Sequence, residues 1–255
     1  MILLKRDFCI LKNKARKYLR ATVFGLKGDN FLYKYELHLH TSECDKVATV
    51  SGADSVKKYI DLGYSGMVVT DHCFSIFHEW YKNELKGMTH KQKIERWLKG
   101  YYQARNEGEK HGFTVLPGAE VRFNGTNNDY LVYGLTEDFF YNAPFLHELK
   151  NLNELVSVLP SDALIVQAHP FRDGMTVSDP SLLFGIEAHN GCNPPFRNEL
   201  AKAFAIHYEK PMTSGSDYHG YTKPASGGIE TNEIIKTPYE LVSVLKSGNY
   251  KIIEN

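Results

Sequence analysis

The sequence lacks several features that would restrict it to a specialised class of protein. Its four cysteines, Cys9, Cys44, Cys73 and Cys192, are widely spaced and form no CxxC pair. Such spacing argues against a disulfide framework or a zinc ribbon, and free thiols are typical of a reducing compartment. The N-terminus has no apolar run long enough for export, and no stretch approaches the roughly 18 apolar residues of a membrane helix. We therefore expect a cytoplasmic protein without a membrane partner.

The sequence also has no excess of charge of either sign, since 30 Lys and Arg residues balance 30 Asp and Glu residues. An extended nucleic-acid interface normally requires a basic surplus, so stable binding of duplex nucleic acid is not expected. The first thirty residues are locally basic. Such a segment can contact nucleic acid or a partner, but we favour a helix face exposed to solvent. Nothing in the composition indicates an oligomeric state.

Short apolar runs alternate with helix-like segments along the chain. The predicted strands are Tyr33–Leu39, Gly66–Thr70, Thr114–Val121, Asp129–Leu135, Ala163–Ala168, Gly185–Ala188 and Pro211–Gly215. The predicted helices are Ala53–Leu62, Lys91–Lys110, Leu152–Leu159, Phe196–His207 and Pro238–Lys246. This alternation predicts an α/β protein built from βα units around a parallel sheet. At this length we expect one barrel domain over residues 31–255, with an N-terminal extension (1–30) packed on it and a helical insertion at about 74–112.

Two histidines, His38 and His40, end the first predicted strand. Because residues i and i+2 of a strand face the same side, both imidazoles can point into one cavity. Neutral imidazoles on one face are a natural pair of metal ligands. Taken alone, the HxH pattern fits a pair of surface histidines on an edge strand equally well.

Titratable residues also end the following predicted strands: Asp71, His72, Glu120, His169, His189, Asp217 and His219. Such residues are costly to bury without partners, and in a barrel these strand ends converge on one face. The sequence therefore predicts a shared metal site. Imidazoles and carboxylates without thiolate suit Zn, Mn or Fe, and the number of ligands predicts two or three divalent ions. Clustered ions of this kind hydrolyse phosphate esters or, less often, amides.

The ordered set of motifs resembles the PHP family (polymerase and histidinol phosphatase). The matching motifs are His38/His40, Thr70-Asp71-His72, Glu120, His169-Pro170 and Asp217/His219, and they run in order between residues 36 and 220. The resemblance implies a distorted (β/α)7 barrel whose active site lies at the C-terminal ends of the strands. It also implies a trinuclear metal centre in a free-standing, metal-dependent phosphoesterase.

The same resemblance implies a set of ligands. It comprises His38, His40, His72, Glu120, His169, Asp217 and His219, with Glu120 bridging two ions. Asp45 lies five residues after His40, as in a branch of the family that acts on nucleotides and nucleic acids, and we include it as a ligand. His189 completes the predicted set, although Glu187 or Asn190 could replace it and His189 could instead contact substrate.

Several polar residues near these motifs are candidates for substrate binding and catalysis. Arg172 and Arg122 are predicted phosphate clamps, because guanidinium groups bind phosphate oxygens in pairs; an ion pair at the surface is the alternative for each. If a metal does not fully occupy its imidazole, His219 could protonate the leaving oxygen. Asp71 either orients a ligand or accepts hydrogen bonds from backbone amides at a turn.

The predicted reaction is hydrolysis of a phosphomonoester, a nucleotide or a short oligonucleotide by a metal-activated hydroxide. One alternative is an amidohydrolase-type barrel that cleaves C–N bonds, but its metal-bridging lysine has no counterpart at a predicted buried strand end. The other alternative is a barrel that binds metal without turnover.

Overall fold

The computed structural model describes residues 32–255 of the chain. Within this range the protein has a mixed α/β fold with eight α-helices and eleven strands in two sheets, so the predicted α/β class is confirmed. The predicted N-terminal extension, residues 1–30, lies outside the described range. No helix between residues 32 and 255 is both long enough and apolar enough to span a membrane.

The strands divide between two sheets. The first has the strand order β11–β10–β1–β2–β4 and consists of β1 (Tyr33–Glu36), β2 (Gly66–Val69), β4 (Thr114–Pro117), β10 (Ile229–Thr231) and β11 (Tyr250–Ile252). The second has the order β3–β5–β6–β7–β8–β9. Its strands are β3 (His72–Cys73), β5 (Ala119–Val121), β6 (Tyr130–Tyr133), β7 (Leu164–Gln167), β8 (Gly185–Asn190) and β9 (Met212–Gly215).

The predicted parallel pairing holds in part. Strands β1, β2 and β4 are parallel, as are β7, β8 and β9. Strand β6 runs antiparallel to both β5 and β7. Residues 122–129, between β5 and β6, are too few for the crossover that a parallel neighbour requires. The predicted strand Thr114–Val121 is divided at Gly118 into β4 and β5, which belong to different sheets.

The helices begin and end where local side chains favour it. They are α1 (Gly52–Asp61), α2 (Ser75–Trp80), α3 (His90–Trp97), α4 (Lys99–His111), α5 (Glu137–Asn142), α6 (Leu152–Val158), α7 (Pro195–His207) and α8 (Pro238–Ser247). Capping boxes at Thr89 and Thr237 start α3 and α8. Gly112 ends α4 in the left-handed conformation that glycine adopts without strain. Helices α2, α3 and α4 occupy the region predicted as a helical insertion.

Alternate residues of the strands pack into two apolar clusters. Val68 packs with Leu37 and Leu131 in one cluster, which Leu241 and other residues of α8 also join. Its neighbours Met67 and Val69 belong to the other cluster, with residues of α1 and α4. Strand β2 is therefore covered on both faces, as expected for a parallel strand in an α/β protein. The candidate site lies at the ends of these strands.

Candidate metal centre

The segments at the strand ends bring eight predicted ligands together in one buried cluster. His38 and His40 follow β1, His72 lies in β3, Glu120 in β5, and His169 follows β7. The ligand atoms form three groups, each within 4.8 Å: His40, Asp45, His72 and His219; His38, Glu120 and His169; and His38, His40 and Asp217. The structure thus places Asp45 and all seven motif residues in the cluster.

Backbone conformation at the cluster is unusual at two of these residues. His169 and Asp217 have φ values of 27° and 51°, in the left-handed region that residues other than glycine adopt infrequently. Strain of this kind persists where the surrounding structure fixes the chain, and it concentrates at functional sites. Gly215, at the end of β9, lies so close to His38 that a side chain there would overlap the His38 Cβ atom. Glycine at this position lets the two ligand-bearing segments approach each other.

Besides Nδ1 of His72, which lies in close contact with Asp45, three buried imidazole nitrogens in the cluster have no hydrogen-bond partner among the described residues. They are Nε2 of His38 and both ring nitrogens of His40. Oδ1 of Asp217 lies 3.3 Å from His40 Nε2 and 3.5 Å from His38 Nε2, without hydrogen-bond geometry. Two ligands about 2.1 Å from one ion at a tetrahedral angle are separated by about 3.4 Å. These residues therefore fit a shared divalent ion.

The charge of the cluster also favours the binding of cations. Five carboxylates there are at most 2% exposed: Asp45, Glu120, Asp129, Glu187 and Asp217. Their nearest arginines are Arg122, bound to Asp129, and Arg172, bound to Asp217. Isolated buried carboxylates are strongly disfavoured, so divalent cations would balance the remaining negative charge.

The histidines respond to this environment in opposite directions. Burial, together with His219 and His72, lowers the pKa of His40 to about 3. Burial also acts against protonation of His72, but hydrogen bonds with Asp45 and Glu120 raise its pKa to about 10. Likewise, Asp217, Glu187 and Glu120 outweigh burial and raise the pKa of His38 well above its ordinary value. Without metal, protons on His72 and His38 neutralise part of the carboxylate charge.

Glu187 orients His38 from behind the cluster. Its Oε1 lies 2.8 Å from His38 Nδ1, and its Oε2 accepts hydrogen bonds from the His169 amide and the Asn190 side chain. A proton on Nδ1, donated to Glu187, leaves the Nε2 lone pair directed at the cluster, an arrangement common among metal-binding histidines. Sequence reasoning considered Glu187 only as a replacement ligand, because its partner is 149 residues away in the chain.

Glu36 was not predicted from the sequence, although it connects two ligand-bearing segments. This fully buried carboxylate accepts hydrogen bonds from the amides of His38 and Ser216, at 3.0 and 2.9 Å, and from the hydroxyls of Ser216 and Tyr59. It thereby fixes the segment after β1 against the segment after β9. The available signal was its spacing, since Glu36, His38 and His40 alternate along one strand.

The two predicted phosphate clamps lie at the cluster and are held by carboxylates. Arg122 binds both oxygens of Asp129 at 2.6 Å, through Nε and Nη2. Asp129, which sequence reasoning missed, lies 3.8 Å from His169 Nε2. Arg172 uses Nη2 to bind Asp217 at 2.7 Å. The hydrogen bonds described for the two arginines leave their Nη1 groups for a ligand.

Three predicted residues have contacts that define their roles more narrowly. His189 lies outside the three groups, because its ring nitrogens contact the Ser226 carbonyl and the Asn198 amide, at 2.9 and 3.2 Å. An irregularity in the β8 register between Glu187 and His189 explains this placement, which removes His189 from the predicted ligands.

Asp71 accepts hydrogen bonds from the amide and hydroxyl of Thr41, at 2.6 and 2.7 Å, so it fixes the turn after the HxH pair. Of the two roles predicted for Asp71, these contacts support the one at a turn and not a catalytic one.

Nδ1 of His219 lies 2.9 Å from the Asp217 carbonyl and donates to it. The Nε2 lone pair of His219 is then available to a metal, which favours the ligand role over the acid role.

Comparison with known structures identifies the fold. The chain resembles a two-domain protein from Bacteroides vulgatus that contains a predicted PHP-like metal-dependent phosphoesterase, with a TM-score of 0.62 and 15% identity over 88% of this chain and 65% of that one. The chain has a PHP-like fold. The predicted resemblance to the PHP family is therefore confirmed for the fold.

Other solved structures share this fold. PsfC from Pseudomonas syringae matches with a TM-score of 0.59 and 16% identity over 88% of this chain and 91% of that one. An amidohydrolase from Chromobacterium violaceum, with bound sulfate and no metal, matches with a TM-score of 0.50 and 12% identity over 86% and 97% of the two chains. At the level of sequence, no protein-family model and no curated protein matches the chain.

Proposed function

We propose that this protein is a metal-dependent phosphoesterase that hydrolyses a phosphomonoester, a nucleotide or a short oligonucleotide. The observation that carries the proposal is the set of buried, unpartnered nitrogens of His38 and His40 facing the Asp217 carboxylate. Two arginines with available Nη1 groups lie beside them. A site for cations next to a site for an anion suits a phosphate ester.

We further propose that the two sheets together form the distorted barrel. A parallel bridge between Leu39 and Tyr218 joins the segments after β1 and β9. At the other junction, the neighbouring strands β2 and β4 of the first sheet lead directly into the neighbouring strands β3 and β5 of the second. The Tyr133 hydroxyl of β6 also donates to the Leu37 carbonyl beyond β1. These contacts between the two sheets support a closed arrangement.

The ligand geometry supports two ions in this centre. His38, His40 and Asp217, with Glu120 nearby, would hold one; Asp45, His72 and His219 would hold the other. A third ion beside Glu120 and His169 would need His38 Nε2 a second time, because Nδ1 contacts Glu187. Arg122 already binds both oxygens of the nearby Asp129. When bound, such ions activate water near neutral pH and stabilise charge on phosphate oxygens. Zn, Mn and Fe all suit this donor set.

The residues of the chain then have distinct tasks. Arg172 and Arg122 bind phosphate oxygens and hold the phosphorus atom over the centre. Glu187 keeps His38 in its ligating orientation, and Glu36 and Asp71 fix the backbone that carries the ligands. The buried walls of the cluster limit the access of bulk water, which strengthens these electrostatic interactions.

The lysine content separates this proposal from the amidohydrolase alternative. Between residues 32 and 255 no lysine is buried, so the described chain offers no lysine to bridge two ions in the cluster. Glu120 is the residue placed to bridge, since its Oε1 lies 3.5 Å from Nε2 of His38 and its Oε2 lies 3.0 Å from Nε2 of His72, which belong to the two different ligand sets. This donor set supports phosphate ester hydrolysis over cleavage of a C–N bond.

A substrate screen tests the proposal. Protein loaded separately with Zn²⁺, Mn²⁺ or Fe²⁺ would be assayed with an aryl phosphomonoester, mononucleotides, nucleoside bisphosphates, dinucleotides and an aryl amide. We expect release of inorganic phosphate from a monoester, abolished by chelation and restored by metal. Turnover of the amide alone, or no turnover of any ester with metals shown to be bound, would contradict the proposal.

A further inference from the structure

A second group of metal-ligating side chains lies outside the centre, where α2 meets the 3₁₀ turn Leu146–Glu148. The ligand atoms of His78, His147 and Glu148 all lie within 4.8 Å of one another. His78 comes from α2, whereas the other two residues are adjacent in the turn. None of the three belongs to the proposed phosphoesterase centre.

His147 is buried and His78 is half-buried, and both are incompletely paired. Nε2 of His78 is buried and has no hydrogen-bond partner among the described residues. His147 is 3% exposed, and its Nδ1 lies 3.8 Å from the Cys73 sulphur, which is a weak partner. The Phe145 ring packs against His78, with 4.7 Å between ring centroids. A buried polar nitrogen without a partner costs free energy, and an ion at this position would remove that cost.

Both imidazoles are held in the form that binds metals. Burial, with a contribution from His78, lowers the pKa of His147 to about 4. Burial likewise lowers the pKa of His78, although Glu148 acts in the opposite direction. Neutral rings at pH 7 present lone pairs, and the exposed carboxylate of Glu148 supplies a negative charge.

We propose that His78, His147 and Glu148 form a second divalent-metal site, which binds Zn²⁺ with water as the fourth ligand. Two imidazoles and one carboxylate are an established three-residue ligand set for zinc. Bound there, the ion joins α2 to the turn at residues 146–148. Helix α2 directly follows His72 and Phe74, whose rings stack with 4.2 Å between centroids. The second site thereby stabilises the segment that leads into the phosphoesterase centre.

Zinc stoichiometry in matched variants of the full chain tests this proposal. His78→Gln removes one ligand, and His90→Gln is its control, because His90 Nε2 bonds to the Ala143 carbonyl and His90 is not in the group. After equilibrium dialysis against Zn²⁺, elemental analysis should show about one zinc equivalent fewer in His78→Gln than in wild type. His90→Gln should bind as much zinc as wild type, and both variants should keep their metal-dependent phosphatase activity.

A second pair of variants protects the test against folding defects. Glu148→Gln and Glu79→Gln both change exposed glutamates, and Glu79 lies in α2 outside the group. Zinc should raise the Tm of Glu79→Gln as much as that of wild type, and that of Glu148→Gln by less. Wild-type zinc stoichiometry in both His78→Gln and Glu148→Gln would overturn the proposal. The proposal would also be overturned if His78→Gln had a lower Tm than wild type without zinc and yet bound as much zinc as wild type. That result would show that His78 contributes to packing alone.

Discussion

The two sides of the metal centre satisfy their buried polar groups in different ways. The histidine side consists of His40, Asp45, His72 and His219; the arginine side consists of Arg122, Asp129, Arg172 and Asp217. On the histidine side, both nitrogens of His40 lack hydrogen-bond partners. On the arginine side, guanidinium groups bind the carboxylates at 2.6–2.7 Å. One side therefore depends on ions from solution, whereas the other carries its own cations.

This difference indicates how the centre divides its work. Unpaired imidazoles beside carboxylates provide binding free energy for a divalent ion, because ligation replaces a desolvation cost. Arginines that are already paired give a fixed positive surface and bind an anion without further ordering. We expect changes to the histidines to remove the metal and changes to the two arginines to weaken substrate binding.

The largest expected effect is on the histidine side. His40→Ala removes a buried imidazole ligand and should lower kcat by a factor on the order of 10³ or more, because water is no longer activated. Elemental analysis of the same protein should show a loss of bound metal. His207→Ala, which changes an exposed histidine in α7, is the control and should match wild type. Full activity and full metal content in His40→Ala would remove the basis for the distinction between the two sides.

A smaller effect is expected on the arginine side. Arg172→Ala should lower kcat/KM by roughly 10²-fold with the metal content unchanged, because a phosphate contact is lost while the imidazole ligands remain. Arg172→Lys should recover part of the loss, since it keeps the charge without the paired geometry. Arg197→Ala changes a nearby arginine that pairs with Asp173, and it serves as the control. Loss of metal in Arg172→Ala would show that the arginine side supports ligation instead.

Most ligands of the centre could be predicted from the sequence because strand periodicity places them, whereas Asp45 was predicted from the resemblance to the PHP family. His38 and His40 follow one strand at spacing i, i+2, and their partners end other apolar runs, so convergence of strand ends was sufficient. The groups behind them could not be predicted in this way. Glu187 bonds to His38 across 149 residues, and the distance between two such positions depends on the packing of the whole sheet.

The misplacement of His189 has a related cause. Strict alternation along β8 would put His189 on the same face as Glu187, but the register changes between these residues. An irregularity of one residue reverses the faces of the residues that follow it, and no local sequence signal marked its position. Asn190, which bonds to Glu187, consequently lies toward the centre in place of His189. Sequence reasoning could assign ligands to strands, but the bulge decided which side of the strand they face.

The smallest expected effect is a dependence of metal affinity on pH. It arises because a proton and a metal ion compete for His72 on the histidine side. Burial opposes protonation of His72, but Asp45 and Glu120 raise its pKa to about 10, above the ordinary imidazole value near 6.5. In metal-free protein this proton contributes stability that is fully present below about pH 6.5 and is lost as the pH rises through about 10. An ion at Asp45, His72 and His219 must displace it.

Because binding of the ion releases the proton on His72, metal affinity should rise by about tenfold per pH unit between pH 7 and 9. Titration with Mn²⁺ at several pH values measures this slope, and calorimetry in buffers of different ionisation enthalpy counts the protons released. His72→Gln keeps the polarity of the position but carries no titrating proton, so its slope should be lower by one proton. An unchanged slope in His72→Gln would show that the proton resides elsewhere, most directly on His38, whose pKa is also raised. The proton released on metal binding would then belong to His38, which lies 3.5 Å from Asp217 of the arginine side, and not to the histidine side.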